Sequence, residues 1–258
     1  MPSVDTTESG CDYPSYKQSL IDRENARPGT LRGMDCPICL NKGVILFLDG
    51  IEEFQKECSC MGIRRSMRRM EESGLGHSLK TFTLDSFLVE HEWQDVLKQL
   101  ARRYIASGEG KWMFIGGQPG CGKTHLCTAV VGELLKAQKS AKYMLWRDEA
   151  PRIKALVNDE VAYSKAVDLL KSVDVLYIDD FLKGRHGDRP TQADVNLAFQ
   201  ILNHRYMNKQ MTIISTEKNT DDLLDIDEAI GSRIIEMSKG FCLNVRNDHG
   251  KNFRLGKK

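Results

Sequence analysis

The chain has 258 residues, 41% of them hydrophobic and 28% charged, with a formal net charge of +1. That composition suits a soluble globular protein of one large domain, or of one medium domain plus a small one. No apolar run approaches the ~18 residues of a membrane span, and a net charge so near zero means that any nucleic-acid surface has to be local.

The polar start MPSVDTTESG lacks a signal-peptide pattern, which points to the cytoplasm and to a reducing setting for the eight cysteines. Residues 1–30 read as a flexible leader with room for one short helix. Residues 31–80 read as a metal-binding module followed by a basic helix. Within it Cys36-Pro37-Ile38-Cys39 and Cys58-Ser59-Cys60 flank VILFLDG and IEEFQKE, two short strands with a turn near Asp49-Gly50. Two such knuckles supply the four thiolates of a tetrahedral Zn²⁺, the layout of a zinc ribbon. The competing readings are four buried unliganded cysteines or a redox pair. No thioredoxin-like pattern surrounds the C-x-x-C, so Cys36, Cys39, Cys58 and Cys60 are taken as zinc ligands. The site is structural, because four thiolates leave no open position.

GIRRSMRRMEESGLG follows as a helix carrying Arg64, Arg65, Arg68 and Arg69. This is either a solvated face or a contact for nucleic-acid phosphate or an acidic protein. SLKTFTLDSF reads as a linker. In the next helix Trp93, Val96, Leu97, Leu100 and Tyr104 recur at helical spacing.

From Lys111 onward strands and helices alternate: KWMFIG, KTHLCTAVVGELLKAQ, AKYMLW, DEAPRIKALVN with EVAYSKAVDLLKS, DVLYID, TQADVNLAFQILNHRYMN, MTIIST, TDDLLDIDEAIGSRIIEM and FCLNV. This alternation indicates an α/β domain over residues 81–258, a parallel sheet wrapped by helices. Gly117-Gln118-Pro119-Gly120-Cys121-Gly122-Lys123-Thr124 is G-x-x-x-x-G-K-T, and strand before with helix after separate it from a chance match. Its glycines let N–H groups curl around phosphates. Lys123 is expected to reach the β- and γ-phosphates of ATP, and the Thr124 hydroxyl to ligate Mg²⁺. The contact set runs from Gly117 to His125, although the His125 imidazole by itself reads as helix surface and Cys121 as packing.

DVLYIDD ends a strand in two carboxylates. Asp179 is expected beside the Mg²⁺ and Asp180 as the general base for an attacking water. Thr216, which ends MTIIST, and Glu217, which follows it, are the candidates for sensing the γ-phosphate that the place of this strand in AAA+ P-loop ATPases implies. Arg233 is either a surface arginine or an arginine finger. Cys121, Cys127 and Cys242 read as packing residues, and His77, His91, His186 and His204 lack ligand spacing.

GGQPGCGKTHLCTAV, YMLWRDE, DVLYIDDF and LLDIDEAIGSRI together resemble the AAA+ ATPases of the DnaC/DnaI helicase-loader group, which also takes in the IstB transposition helpers. The resemblance covers roughly Thr81 to Leu255. It implies an αβα sandwich in which Lys123, Thr124, Asp179 and Asp180 bind and hydrolyse ATP, and an Arg233 that reaches a neighbouring subunit's nucleotide on assembly. It further implies a hexameric DnaB-type replicative helicase and single-stranded DNA as partners, with a transposase helper as the alternative. Glu217 stands where many relatives carry an asparagine sensor. No sensor-2 helical lid is expected after Arg233, and for Arg254 nucleotide and DNA stay open as contacts. A small-molecule kinase is the reading from a different class; it needs an acceptor pocket and lid arginines, whereas Lys183, Arg185 and Arg189 lie in a segment that reads as a mobile loop.

Overall fold

The computed structural model describes residues 13–72, 75–184, 189–245, 248 and 251–253. The chain divides into two compact units, Met1–Arg65 and Ser66–Lys258, and the division falls inside a helix.

In the first unit, α1 (Tyr13–Asn25) precedes a hairpin of β1 (Val44–Asp49) and β2 (Glu52–Glu57), and α2 (Cys60–Glu72) begins at the last cysteine. The strands pair from Val44↔Glu57 to Asp49↔Glu52, so the turn is Gly50–Ile51. Gly50 has φ 64, and a two-residue hairpin with its first central residue at positive φ needs glycine there. The stretch expected as a loose leader contains α1. Asn25 fastens that helix to β1, donating to the Leu46 carbonyl at 2.8 Å and accepting from its N–H at 3.0 Å. Every residue of β2 is exposed. The buried apolar side chains described here are the four cysteines with Ile21 and Ile63, too few for a core that stands by itself.

The second unit runs α3 (Gly76–Thr81), α4 (Glu92–Ser107), β3 (Trp112–Gly117), α5 (Lys123–Lys136), β4 (Ala141–Leu145), α6 (Trp146–Ala155), α7 (Glu160–Ser172), β5 (Val175–Asp179), α8 (Gln192–Met207), β6 (Met211–Thr216), α9 (Thr220–Ile226), α10 (Glu228–Met237) and β7 (Cys242–Val245). The five strands form one parallel sheet in the order β4-β5-β6-β3-β7. All residues of β3, β5 and β6 are buried, as expected of central strands covered on both faces. This is why β3 and β5 read in the sequence as nearly continuous apolar runs, while β6 also buries Thr212, Ser215 and Thr216.

Two features of the helices are not given by apolar spacing alone. In α4 the buried stripe is Leu97, Leu100, Ala101 and Tyr104, while Val96 is 45% exposed. Gln94 is buried because its carboxamide accepts the N–H groups of Glu90 and His91 at the helix start. The second is Arg205 of α8, which is fully buried. Its guanidinium donates to the carbonyls of Leu170, Val173 and Met211 at 2.9, 2.9 and 2.5 Å and to Thr212 Oγ1 at 2.9 Å. One side chain thereby ties the end of α7 and the starts of β5 and β6 together, and burial lowers its pKa to about 10.

Candidate active site

The register of the parallel sheet brings distant motifs to one edge. Gly116 lies opposite Thr216, and Ile178 opposite Ile214, so the loops after β3, β5 and β6 emerge side by side. At the start of α5, Gly122 has φ +88, and a Cβ there would lie 2.9 Å from the Phe87 ring. Both facts require glycine. Lys123 is 7% exposed; its ammonium donates to the carbonyls of Gly117 at 2.5 Å and Gln118 at 2.8 Å. The cation is thus fixed inside the loop it belongs to.

The Thr124 hydroxyl lies 3.2 Å from Asp179 Oδ2. Asp179 also accepts from the Ser215 hydroxyl, from the Tyr143 hydroxyl at 3.4 Å and from the Asp180 N–H at 3.1 Å. It is 5% exposed. Burial pushes its carboxyl above the usual range, Ser215 and Thr124 pull it partly back, and the charge of Asp180 adds to the rise. A hydroxyl and a buried carboxylate side by side are hard oxygen donors of the kind that hold Mg²⁺, so the donor set fits that ion.

Asp180 sits at φ 53, a left-handed backbone that is strained for a residue with a side chain. The turn separates the two acids: Asp179 faces inward, and Asp180, about a quarter exposed, lines a cleft of about 570 Å³ together with Lys123, Thr124, Lys183 and Glu217. Of the two sensor candidates, only Glu217 lines that cleft. The Thr216 hydroxyl is fully buried and committed to backbone, donating to the Phe181 carbonyl at 2.8 Å and accepting from the Lys218 N–H at 3.2 Å. Arg233 does not line the cleft. Its guanidinium lies 5.1 Å from the Phe199 ring and 5.3 Å from the Tyr206 ring, both on α8, and donates to the Ala229 carbonyl at 2.7 Å.

The segment read as a linker forms another wall of the cleft, through Phe82 and Phe87. The imidazole of His125 stacks on Phe82 at 4.6 Å and meets the edge of Phe87 at 5.3 Å, with Nε2 3.0 Å from the Thr83 carbonyl. His125 is therefore half-buried and engaged, not a free helix-surface residue: burial lowers its pKa, and it fastens residues 82–87 to the loop helix. Phe253 packs on Phe87 at 5.9 Å and its N–H donates to the Gly120 carbonyl at 2.9 Å. Gln118 pairs both ways with the backbone of Asp248. Pro119 is exposed, and Cys121 is buried, where burial raises its thiol pKa. A flat apolar base suits the aromatic wall, and the cation, hydroxyl and carboxylates suit a metal-bound polyphosphate. The sequence signal for the wall was the pair Phe82 and Phe87 around a polar turn, which carries no periodicity.

In the first unit the four cysteines are each at most 2% exposed, and their sulfurs all lie within 4.8 Å of one another. Cys36–Cys58 and Cys39–Cys60 are 3.7 and 3.6 Å apart. A tetrahedron with Zn–S bonds of about 2.3 Å has an edge of about 3.8 Å, so the cluster fits that ion. The Gly43 N–H donates to Cys39 Sγ at 3.2 Å. Two of the four arginines of the basic helix serve this unit. Arg64 donates to the carbonyls of Arg32 and Met34 and to Asn41, and Arg65 forms a two-point ion pair with Glu57 at 2.8 Å. Arg64 is thereby committed to this unit, Arg65 is paired but half-exposed, and Arg68 is exposed. Arg185, His186, Arg254 and the side chain of Arg69 lie outside the described residues.

The same domain recurs in known proteins. A model of the bacterial DnaA ATPase domain matches residues 79–241. The chain is 31% identical over 219 residues to the uncharacterized protein YqaM of Bacillus subtilis, spanning 80% of this chain and 68% of that one. It is 25% identical over 185 residues to the replicative helicase loader DnaC of Escherichia coli, spanning 70% and 71%. A solved structure of the replication initiator DnaA bound to AMPPCP and single-stranded DNA superposes with a TM-score of 0.52 at 24% identity, over 67% of this chain and about half of that one (52%).

Proposed function

The chain belongs to the family of the bacterial DnaA ATPase domain, and on that premise we propose that it is an ATP-dependent loader that places a hexameric replicative helicase on single-stranded DNA. The observation that carries the ATPase part is the contact of Thr124 with Asp179 beside a cation-bearing loop, with Asp180 at the cleft edge. In this reading Lys123 binds the β- and γ-phosphates, and Thr124 and Asp179 hold Mg²⁺, which supplies positive charge to the phosphoryl oxygens when bound. Asp180 accepts the proton of the attacking water; its partly exposed, turned carboxylate suits that task better than the buried Asp179. Phe82, Phe87 and Phe253 take the base.

The loader part is supported by the similarity to DnaC along 71% of that protein's length, and single-stranded DNA by the DnaA structure that holds it. We place Zn²⁺ on Cys36, Cys39, Cys58 and Cys60, where it supplies the folding energy the first unit's few apolar side chains lack, and assign that unit to the helicase. Among the described residues no helix is long and apolar enough to cross a membrane, and the proposed work is cytoplasmic. The test is release of inorganic phosphate from ATP, with and without a purified DnaB-type helicase and single-stranded DNA. The proposal expects release that depends on Mg²⁺ and rises with both partners. Transfer of the phosphoryl group to a small acceptor, or turnover indifferent to helicase and DNA, would overturn it.

A further inference from the structure

The turn after β5 carries a charge that the phosphate loop and the metal ligands do not account for. The Lys183 ammonium lies 2.6 Å from Glu217 Oε1 and 3.4 Å from Asp180 Oδ2. All three side chains line the cleft that contains Lys123 and Thr124, and all three are a quarter to a third exposed. Two bare carboxylates there would repel a polyphosphate. The ammonium between them offsets that repulsion and carries a cation to the same rim.

The two contacts are unequal. Glu217 takes the short one, and the Asp180 contact is at the long limit, so Lys183 is anchored by Glu217 and does not lock Asp180. An ammonium has three donors, and these contacts leave one to point at a ligand. The lysine's place is built into the fold. The Phe181 N–H donates to the Ser215 carbonyl at 3.0 Å, the Phe181 carbonyl accepts from Thr216 at 2.8 Å, and the Lys183 N–H closes the turn on the Asp180 carbonyl at 3.1 Å. Phe181 and Leu182 are fully buried, and Asp180 and Leu182 both hold the left-handed backbone that the turn needs.

We propose that Lys183, beside Lys123, recognises the terminal phosphoryl group of the nucleotide, with Glu217 as the positioning residue that holds its ammonium there, so that the pair makes the site distinguish ATP from ADP. The inference rests on the reading of the cleft as the nucleotide site. It also explains an acid at a place where an anion is bound: Glu217 acts through the lysine.

The test is a binding titration of the full-length protein with Mg²⁺ and either a non-hydrolysable fluorescent ATP analogue or fluorescent ADP. Lys183→Ala and Glu217→Ala are each expected to weaken the ATP analogue about tenfold, the scale of one charge-assisted hydrogen bond, and ADP less than about twofold. Lys183→Arg should recover most of the loss, and the double variant should be no weaker than Lys183→Ala alone. Equal weakening of both nucleotides, or unchanged affinity for the analogue, would overturn the inference. Loss of both nucleotides in Lys123→Ala, beside unchanged Lys183→Ala, would sink the lysine's role and leave the site intact. A wild-type protein that bound neither nucleotide would sink both.

Discussion

Asp179 and Asp180 are neighbours in sequence and opposites in environment, so their amides should fail in different ways. Asp179 is buried with its folded pKa raised. Its contribution to the stability of the nucleotide-free protein is fully present below the unfolded value near 3.8 and is lost as pH rises through the folded value. Asp179→Asn removes that loss: thermal melting without nucleotide should be at least as high as wild type and flatter across that window, while Mg²⁺-dependent turnover disappears. A lower melting point at neutral pH would contradict the burial argument. Asp180→Asn should keep Mg²⁺-nucleotide affinity and lose turnover by ~10²–10⁴-fold, the range of a general base; normal hydrolysis in that variant would remove Asp180 from the role. These residues were legible because the chemistry sits in contiguous letters: a glycine loop ending in Lys-Thr, and an apolar strand ending in Asp-Asp. Lys183 and Glu217 are 34 positions apart and meet only through the register of β5 and β6, which residue spacing does not disclose. His125 was misread for the same reason, since its partners Phe82 and Phe87 come from a segment without periodicity.

At the scale of elements, the parallel strands were readable as apolar runs because both faces of the sheet are covered, and the hairpin because Asp49-Gly50 marks its turn. The segment from 82 to 87 was not readable as a wall of the cleft, because its order comes from a histidine on another element. The first unit depends on its cysteines in place of a core, so metal should decide its folding. Protein purified without chelator should contain one Zn²⁺ per chain. Its removal should expose residues 36–60 to proteolysis, with nucleotide affinity retained, because Lys123, Thr124 and Asp179 belong to the other unit. Metal analysis that finds no zinc would remove the ribbon. Arg64 and Arg65 spend their guanidinium groups inside this unit, so among the described arginine side chains of the basic helix Arg68 is the one to test by DNA affinity; Arg64→Ala confounds such a test by freeing the carbonyls of Arg32 and Met34.

At the scale of the whole molecule, hydrolysis that must wait for assembly needs a group supplied by a neighbour. Arg233 lies against Phe199 and Tyr206 and does not line its own cleft, which suits a role in trans. Arg233→Ala should bind ATP normally and hydrolyse it roughly 10³-fold more slowly. Mixed with Lys123→Ala protein it should regain activity, where an intact loop meets an intact arginine. No recovery despite demonstrated co-assembly would confine Arg233 to its packing against α8.

The central claim is that ATP binding by this chain controls placement of a ring helicase on DNA, and closed circular single-stranded DNA tests it most directly, because a closed helicase ring cannot thread onto a circle unaided. The measurement is the amount of DnaB-type helicase retained on such circles after a salt wash, with the protein added in the presence of ATP. Retention is expected to require this protein, and to be lost with Lys123→Ala and on zinc removal. Retention equal with and without the protein, or equal for wild type and Lys123→Ala, would contradict it.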